Sequence, residues 1–300
     1  MSSSVKQNKK MGMKAKQFVS QSILNTILFI LAATMILPVV YVLMVSFTDS
    51  TVYQSGKIIL WPEKWSLEAY EYILSGSGFL NALKSTLFIT LVGTPLSIIV
   101  CAGLGYMLSR KNLPGRSFIN KLVMITMLFS AGMVPAYINM SNLHLLNNWF
   151  ASILPNACGA WTVMIMKTFF QSLPVELEEA AQIDGCGKLR IFWIIVLPLS
   201  KAMLATFTLF NAVSYWNTYF SAVMYITKSS MQPLQVYLQK IVLSSNYSDV
   251  VDVTNVLYDV VPQEVVKMAA VMIAILPIMC IYPFLQKYFA KGVMVGAVKG

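Results

Sequence analysis

This sequence predicts an all-α membrane protein of six transmembrane helices with both termini in the cytoplasm. Three observations carry that reading. Hydrophobic residues are 57% of the 300 and charged residues only 11%, against roughly 25% charged in a soluble domain, and the mean hydropathy is +0.67. The charges leave five long uncharged gaps. The cations gather on one side of the segments so defined. A water-soluble enzyme, a disordered chain and a secreted disulfide scaffold are excluded, because none could cover its surface with so few charges.

The gaps are 32 residues between Lys16 and Asp49, 25 between Lys84 and Arg110, 45 between Lys121 and Lys167, 26 between Lys201 and Lys228, and 19 between Lys267 and Lys287. A membrane helix needs about 20 apolar residues at a rise of about 1.5 Å each. Four gaps therefore hold one span apiece. The longest holds two, split by a polar turn of Asn139, Asn142, His144, Asn147 and Asn148. The expected helices lie near 23–47, 83–108, 121–140, 149–170, 202–225 and 266–286.

Six spans put both termini on one side. That side collects 16 of the 22 Lys and Arg: Lys6, Lys9, Lys10, Lys14 and Lys16; Arg110, Lys111, Arg116 and Lys121; Lys167, Lys188, Arg190 and Lys201; Lys287, Lys291 and Lys299. Positive residues mark the cytoplasmic face. The expected layout is a basic cytoplasmic segment 1–22, a first helix 23–47, an extracytoplasmic segment 48–82, a core 83–286 and a cytoplasmic tail 287–300. The core includes an inner loop at 172–198 and an outer loop at 226–264. The first apolar run, of about 25 residues with no small-x-small site after it, is too long for a cleaved signal and reads as a retained helix. The net charge of +10 flanks helices on one face, which suits anionic membrane lipid rather than nucleic acid.

Cys101, Cys158, Cys186 and Cys280 have no metal or redox spacing and read as small apolar fillers. The outer segments carry Trp61-Pro62, Trp65 and Tyr70 in the first, and Asp249, Asp252, Asp259 and Glu264 in the second. Each is either a docking surface or a solvated spacer.

The inner loop runs from Gln171 to Pro198. Ser172 can cap a helix, Pro174 suits its first turn, and Glu176, Glu178 and Glu179 suit its positive end. Gly185 permits a left-handed turn. A short amphipathic helix follows, with Leu189, Phe192 and Trp193 apolar and Lys188 and Arg190 charged, and Pro198 starts the fifth span. The expectation is a helix-turn-helix elbow. An ordinary interfacial loop lying on headgroups would not explain three acids where anionic lipid repels them.

Glu179-Ala180-Ala181, then Gly185, then Ile195-x-Leu197-Pro198 resembles the EAA loop of the permease subunits of binding-protein-dependent ATP-binding-cassette importers of type I. The stretch Leu177–Gly185 and the tail from Lys287 resemble the sugar branch, and the tail its maltose-type second permease; Asn217 after Trp216 fits that branch too. Cys186 stands where the branch usually has Ala, and Ala202 where Pro is common. The resemblance implies a transporter subunit in a bacterial cell membrane, multi-pass and without catalytic residues. It implies a second homologous permease, an ATPase dimer that binds ATP and Mg²⁺, an extracytoplasmic solute-binding protein, and a carbohydrate substrate in oligosaccharide form. It implies that Glu179 anchors the elbow in the ATPase, that Ala180 and Ala181 form the contact face, that Asp184 supports the turn at Gly185, and that Ile195, Leu197 and Pro198 complete the motif.

This chain holds no phosphate loop of its own. Neither Gly56-Lys57 nor Gly187-Lys188 has the required glycine five positions earlier or Ser/Thr after the lysine. A translocation path needs intramembrane polar groups. Thr208, Asn211, Tyr215 and Thr218 fall on one helical face, and Asn139 and Asn156 add amides; such groups either line a path for a neutral sugar or join helices to each other. Pro38, Pro95, Pro135, Pro155 and Pro277 predict kinks. A permease for a non-sugar solute is the alternative function. A stand-alone secondary transporter is disfavoured by the absence of any charge within the five gaps, and an integral-membrane enzyme by a single histidine, His144, and no metal-ligand cluster.

Overall fold

The computed structural model describes residues 2–243 and 261–297, with side chains described for 21–243 and 261–280. Asp249, Asp252 and Asp259 of the second outer segment lie outside the described residues. Among the described residues every regular element is a helix, and the one extended pairing is an isolated bridge between Thr48 and Trp65.

In chain order the elements are α1 (Ser2–Ser46), α2 (Glu68–Ser75), α3 (Ser77–Ser109), α4 (Arg116–Leu128), α5 (Met133–Asn142), α6 (Phe150–Ile153) and α7 (Ala160–Gln171). Then come α8 (Glu176–Ile183), α9 (Lys188–Ile191), a π turn at Phe192–Val196, α10 (Leu197–Leu199), α11 (Lys201–Trp216), α12 (Phe220–Tyr225), α13 (Leu234–Leu243) and α14 (Gln263–Ala297). Among the described residues three segments are long and apolar enough to cross a membrane: Gln21–Ser46, Ser77–Ser109 and Gln263–Cys280. Two bent pairs raise the number to five if each is one broken span: Arg116–Leu128 with Met133–Asn142, bent by 119°, and Lys188–Leu199 with Lys201–Trp216, bent by 84°.

Several expected helices are interrupted, each for a local reason. The helix expected at 121–140 breaks at Gly132, whose φ of 87° and ψ of 176° are open essentially to glycine alone. Pro135 then falls in the first turn of α5, where its missing N–H costs nothing. The helix expected at 149–170 is interrupted by a 3₁₀ turn at Leu154–Asn156 containing Pro155. The one expected at 202–225 stops at Trp216 and resumes at Phe220. Pro38 and Pro95, by contrast, sit inside continuous helices.

The described residues fall into two compact units, 2–71 with 261–272 and 72–243 with 273–297. In the first, the segment after α1 folds back on the helix end. Ser66 N–H donates to Phe47 O at 2.8 Å, and Asp49 N–H donates to Lys64 O at 3.1 Å. The Ser46 and Tyr70 hydroxyls bond at 2.7 Å. Asp49, buried, pairs with Lys64 Nζ at 2.7 Å. The Lys64 ammonium and then Thr51 hold the Asp49 carboxyl down at about 2.

In the second unit, α3 is the axis on which α7 and α11 pack. Small residues let the backbones approach, as membrane helix pairs require. A Cβ on Gly105 would meet Met166 Cβ at 3.1 Å and the Lys167 backbone nitrogen at 3.2 Å. One on Gly93 would meet the Tyr215 ring at 2.8 Å. Thr86 Oγ1 of α3 accepts the Leu234 N–H at 2.7 Å and so caps α13 from a distance. The polar turn before α6 is tied down rather than merely solvated. Asn147, at φ 57°, accepts on Oδ1 from Thr227 N at 2.8 Å, Thr227 Oγ1 at 2.9 Å and Lys228 N at 3.0 Å.

Candidate functional site

The elbow begins where α7 ends. Ser172 closes α7, its hydroxyl donating to Phe169 O at 2.7 Å, and does not cap α8 as expected. The α8 N-cap position falls to Val175, so Pro174 stands just outside the helix. The acids Glu176, Glu178 and Glu179 occupy the first turn, where the exposed N–H groups favour negative charge.

The C-terminal end of α8 is a Schellman turn. Cys186 N–H donates to Ala181 O at 2.9 Å, and Gly185 N–H to Gln182 O at 3.0 Å. Gly185 has φ 79°, and no atom lies within 4 Å of where its Cβ would be. Glycine is required here by backbone conformation, not by crowding. Asp184, the C-cap, donates its N–H to Ala180 O at 3.0 Å. Cys186 follows the glycine and packs against the apolar cluster that contains Ala181, so it serves as the apolar partner such turns carry.

The second arm runs from Lys188 to Leu199. Its π turn places Leu197 N–H on Phe192 O, one residue further back than in an α-helix. This accommodates Pro198, which lacks an N–H. The new helix starts at Lys201, not Pro198. Ser200 makes the 84° corner: its N–H donates to Val196 O at 3.1 Å and its hydroxyl to the same oxygen at 2.7 Å.

The elbow has two faces of opposite character. Glu178 and Ala181, three residues apart, are both buried. Ala181, Ile191, Phe192 and Val196 join Cys101, Leu108 and Phe170 in one apolar cluster. Glu178 pairs with Arg110, the residue that caps α3, and Tyr106 O–H donates to Glu178 Oε2 at 3.2 Å. The Arg110 guanidinium lies 4.8 Å from the Tyr106 ring centre, and that ring in turn tilts against Phe192 at 5.1 Å. Ala181 therefore belongs to the face that holds the elbow to its own bundle, which corrects its placement on the contact face. Glu179, Ala180, Asp184 and Pro198 are exposed. With them stand Ile183 at 87% exposed and Leu189 at 78%. Ile195 and Leu197 are half-buried against the cluster.

The six expected path residues are not brought together. Tyr215 is fully buried, its hydroxyl donating to Ile153 O at 3.1 Å within a cluster with Ile89. Thr218 is buried just past the end of α11. Tyr215 is thereby an inter-helix tie rather than a free lining group. Asn211 is half-buried with an unpartnered side-chain nitrogen. Thr208, Asn139 and Asn156 are exposed on three different elements. Asn217, also exposed, accepts from Gln235 Nε2 at 3.1 Å. Among the described residues no group of three His, Cys, Asp or Glu side chains could hold a metal.

The family described as the binding-protein-dependent transport system inner membrane component matches residues 10–295. Protein LplC of Bacillus subtilis is 41% identical over 268 residues, 89% of this chain and 90% of that protein. The polygalacturonan/rhamnogalacturonan transport system permease protein YtcP of the same organism is 42% identical over 275 residues, 91% and 96% of the two chains. A crystal structure of a bacterial ABC transporter involved in import of the acidic polysaccharide alginate contains a chain that superposes with a TM-score of 0.82 at 34% identity, covering 89% of this chain and 96% of that one.

Proposed function

This chain belongs to the family of binding-protein-dependent transport system inner membrane components, and from that premise we propose that it is a permease subunit of an ATP-driven oligosaccharide importer in a bacterial cell membrane. It is a transporter subunit, not an enzyme. A second, similar permease supplies the other half of the pathway. An ATPase dimer binds ATP and Mg²⁺, and an extracytoplasmic binding protein delivers the sugar. The chain crosses the membrane six times with both ends inside: α1, α3, the α4–α5 pair, α6 with α7, α11 with α12, and α14.

The two-faced elbow is the observation that carries this reading. Its outer face offers exposed apolar groups, Ile183 and Leu189, beside the acid Glu179. That combination fits a cleft on a partner protein, whereas lipid headgroups would repel the acid. Its inner face is pinned to α3 by Glu178, Arg110 and Tyr106. A push on the outer face therefore passes to α3, whose 33 residues span about 50 Å. A rigid lever of this kind lets nucleotide-driven closure of the ATPase favour one of two arrangements of the bundle.

The similar proteins named for polygalacturonan, rhamnogalacturonan and alginate set the first substrates to try. The test is uptake by proteoliposomes holding this chain, a second permease and the ATPase, supplied with the binding protein and labelled oligosaccharide. Glu179→Lys and Gly185→Val are expected to reach the membrane, lose uptake and lose binding-protein-stimulated ATP hydrolysis. Normal uptake in both variants would refute the assignment of the elbow. Failure of the chain to retain any ATPase on purification with a second permease would refute the importer reading itself.

A further inference from the structure

We propose that Ile58, Leu60, Trp61 and Trp65 form a lipid-facing ledge that seats in the lipid headgroup layer where α1 leaves the membrane. The proposal rests only on α1 being a membrane-crossing helix, not on the coupling role of the elbow.

The argument begins with depth. The hydrocarbon layer is about 30 Å thick, or about 20 helical residues, and the polar layers add about 6 Å, or about four residues, on each side. Counted from Ile23, the first residue of the apolar run, the hydrocarbon ends near Val42 and the polar layer near Ser46. Backbone hydrogen bonds from Ser66 to Phe47 and from Asp49 to Lys64, with the bridge between Thr48 and Trp65, set Trp65 level with that end. A helix tilt of about 20° would bring the ledge slightly deeper.

Chemistry agrees with depth. Trp61 and Trp65 meet edge to face at 5.4 Å, yet are 71% and 49% exposed. Ile58 and Leu60 beside them are exposed as well. Tryptophan concentrates at this level of a bilayer because its ring is apolar and its N–H is polar. The neighbouring charges are paired with one another, Lys57 with Glu63 at 3.1 Å and Lys64 with Asp49 at 2.7 Å. They offer a protein partner little to recognise, and lysine stems suit the same interface.

The experiment uses the full chain in its assembled complex, labelled with 5-fluorotryptophan and placed in lipid nanodiscs. Trp61→Phe and Trp65→Phe identify the two ¹⁹F signals. Both are expected to lose most of their intensity when lipids carry a nitroxide on the headgroup. They should lose less with a nitroxide at the acyl end or with a gadolinium chelate in the water. Stronger loss to the chelate would show a solvated ledge, and no loss to any probe would show a protein over it; either result overturns the proposal. Carbonate-resistant insertion of the same sample checks the spanning helix separately, and uptake checks the elbow.

Discussion

Glu178 and Arg110, 68 residues apart in the chain, close into a partly buried ion pair that fastens the elbow to the end of α3. Tyr106, one turn before Arg110, adds a hydrogen bond to the same carboxylate. Removing one member strands the other; about 3–5 kcal/mol, the cost in a fully buried pair, is an upper bound here, because a quarter of the Arg110 side chain reaches solvent. Glu178→Gln and Arg110→Gln are therefore each expected to loosen the elbow, measured as faster hydrogen exchange over 176–199 and a lower melting temperature of the complex. The double variant Arg110→Glu/Glu178→Arg should recover part of the loss. Glu179→Gln, on the exposed face, should leave exchange unchanged. Equal effects of Glu178→Gln and Glu179→Gln would contradict the division into two faces.

Gly185 isolates backbone conformation from packing. Its Cβ would touch nothing, so Gly185→Ala tests the φ of 79° alone. A left-handed conformation costs a residue with a Cβ about 1–2 kcal/mol, and Asn tolerates it better. Hydrogen exchange at the Cys186 amide, which bonds to Ala181 O, should rise in Gly185→Ala and rise less in Gly185→Asn. An order reversed between the two would argue for contact rather than conformation.

Gly93 and Tyr215 form a matched pair of opposite sizes. A methyl at 93 would sit 2.8 Å from the Tyr215 ring, and overpacking of this kind costs about 1–3 kcal/mol. Tyr215→Phe removes only the bond to Ile153 O, about 1 kcal/mol. Thermal unfolding in detergent should rank Gly93→Ala below Tyr215→Phe, and Gly93→Ala/Tyr215→Leu above Gly93→Ala. If Tyr215→Phe instead abolished uptake without altering stability, the hydroxyl would belong to the sugar path.

The Asp49–Lys64 pair makes the fold-back segment acid-sensitive. The Asp49 carboxyl is held at about 2, below its ordinary 3.8. A depressed carboxyl stabilises the folded segment fully above the ordinary value, and that contribution is lost as pH falls through the folded one. Tryptophan emission should therefore be flat above pH 4 and change as the pH is taken from 4 towards 2. Asp49→Asn should abolish the transition. A transition in the wild type centred near pH 6 would point to a different group.

The membrane class, the approximate positions of the long helices and the left-handed turn at Gly185 could all be read along the chain. Each depends on local quantities: apolar run length, the spacing of charges, and the one residue that accepts positive φ. The break at Gly132 is less legible: Pro135 predicts a kink, but the apolar run continues unbroken across the position where the new helix starts. Other features needed the assembled fold. Glu178 and Glu179 are adjacent acids of the same propensity, and only the arrival of Arg110 and Tyr106 from a distant helix makes one an internal fastener and leaves the other outside. Tyr215 shares a helical face with Thr208, yet Gly93 opposite it leaves room for a ring and closes that part of the face. Helical periodicity says which side chains point the same way; what they meet there is decided by the neighbouring helix, and only tertiary packing brings that neighbour.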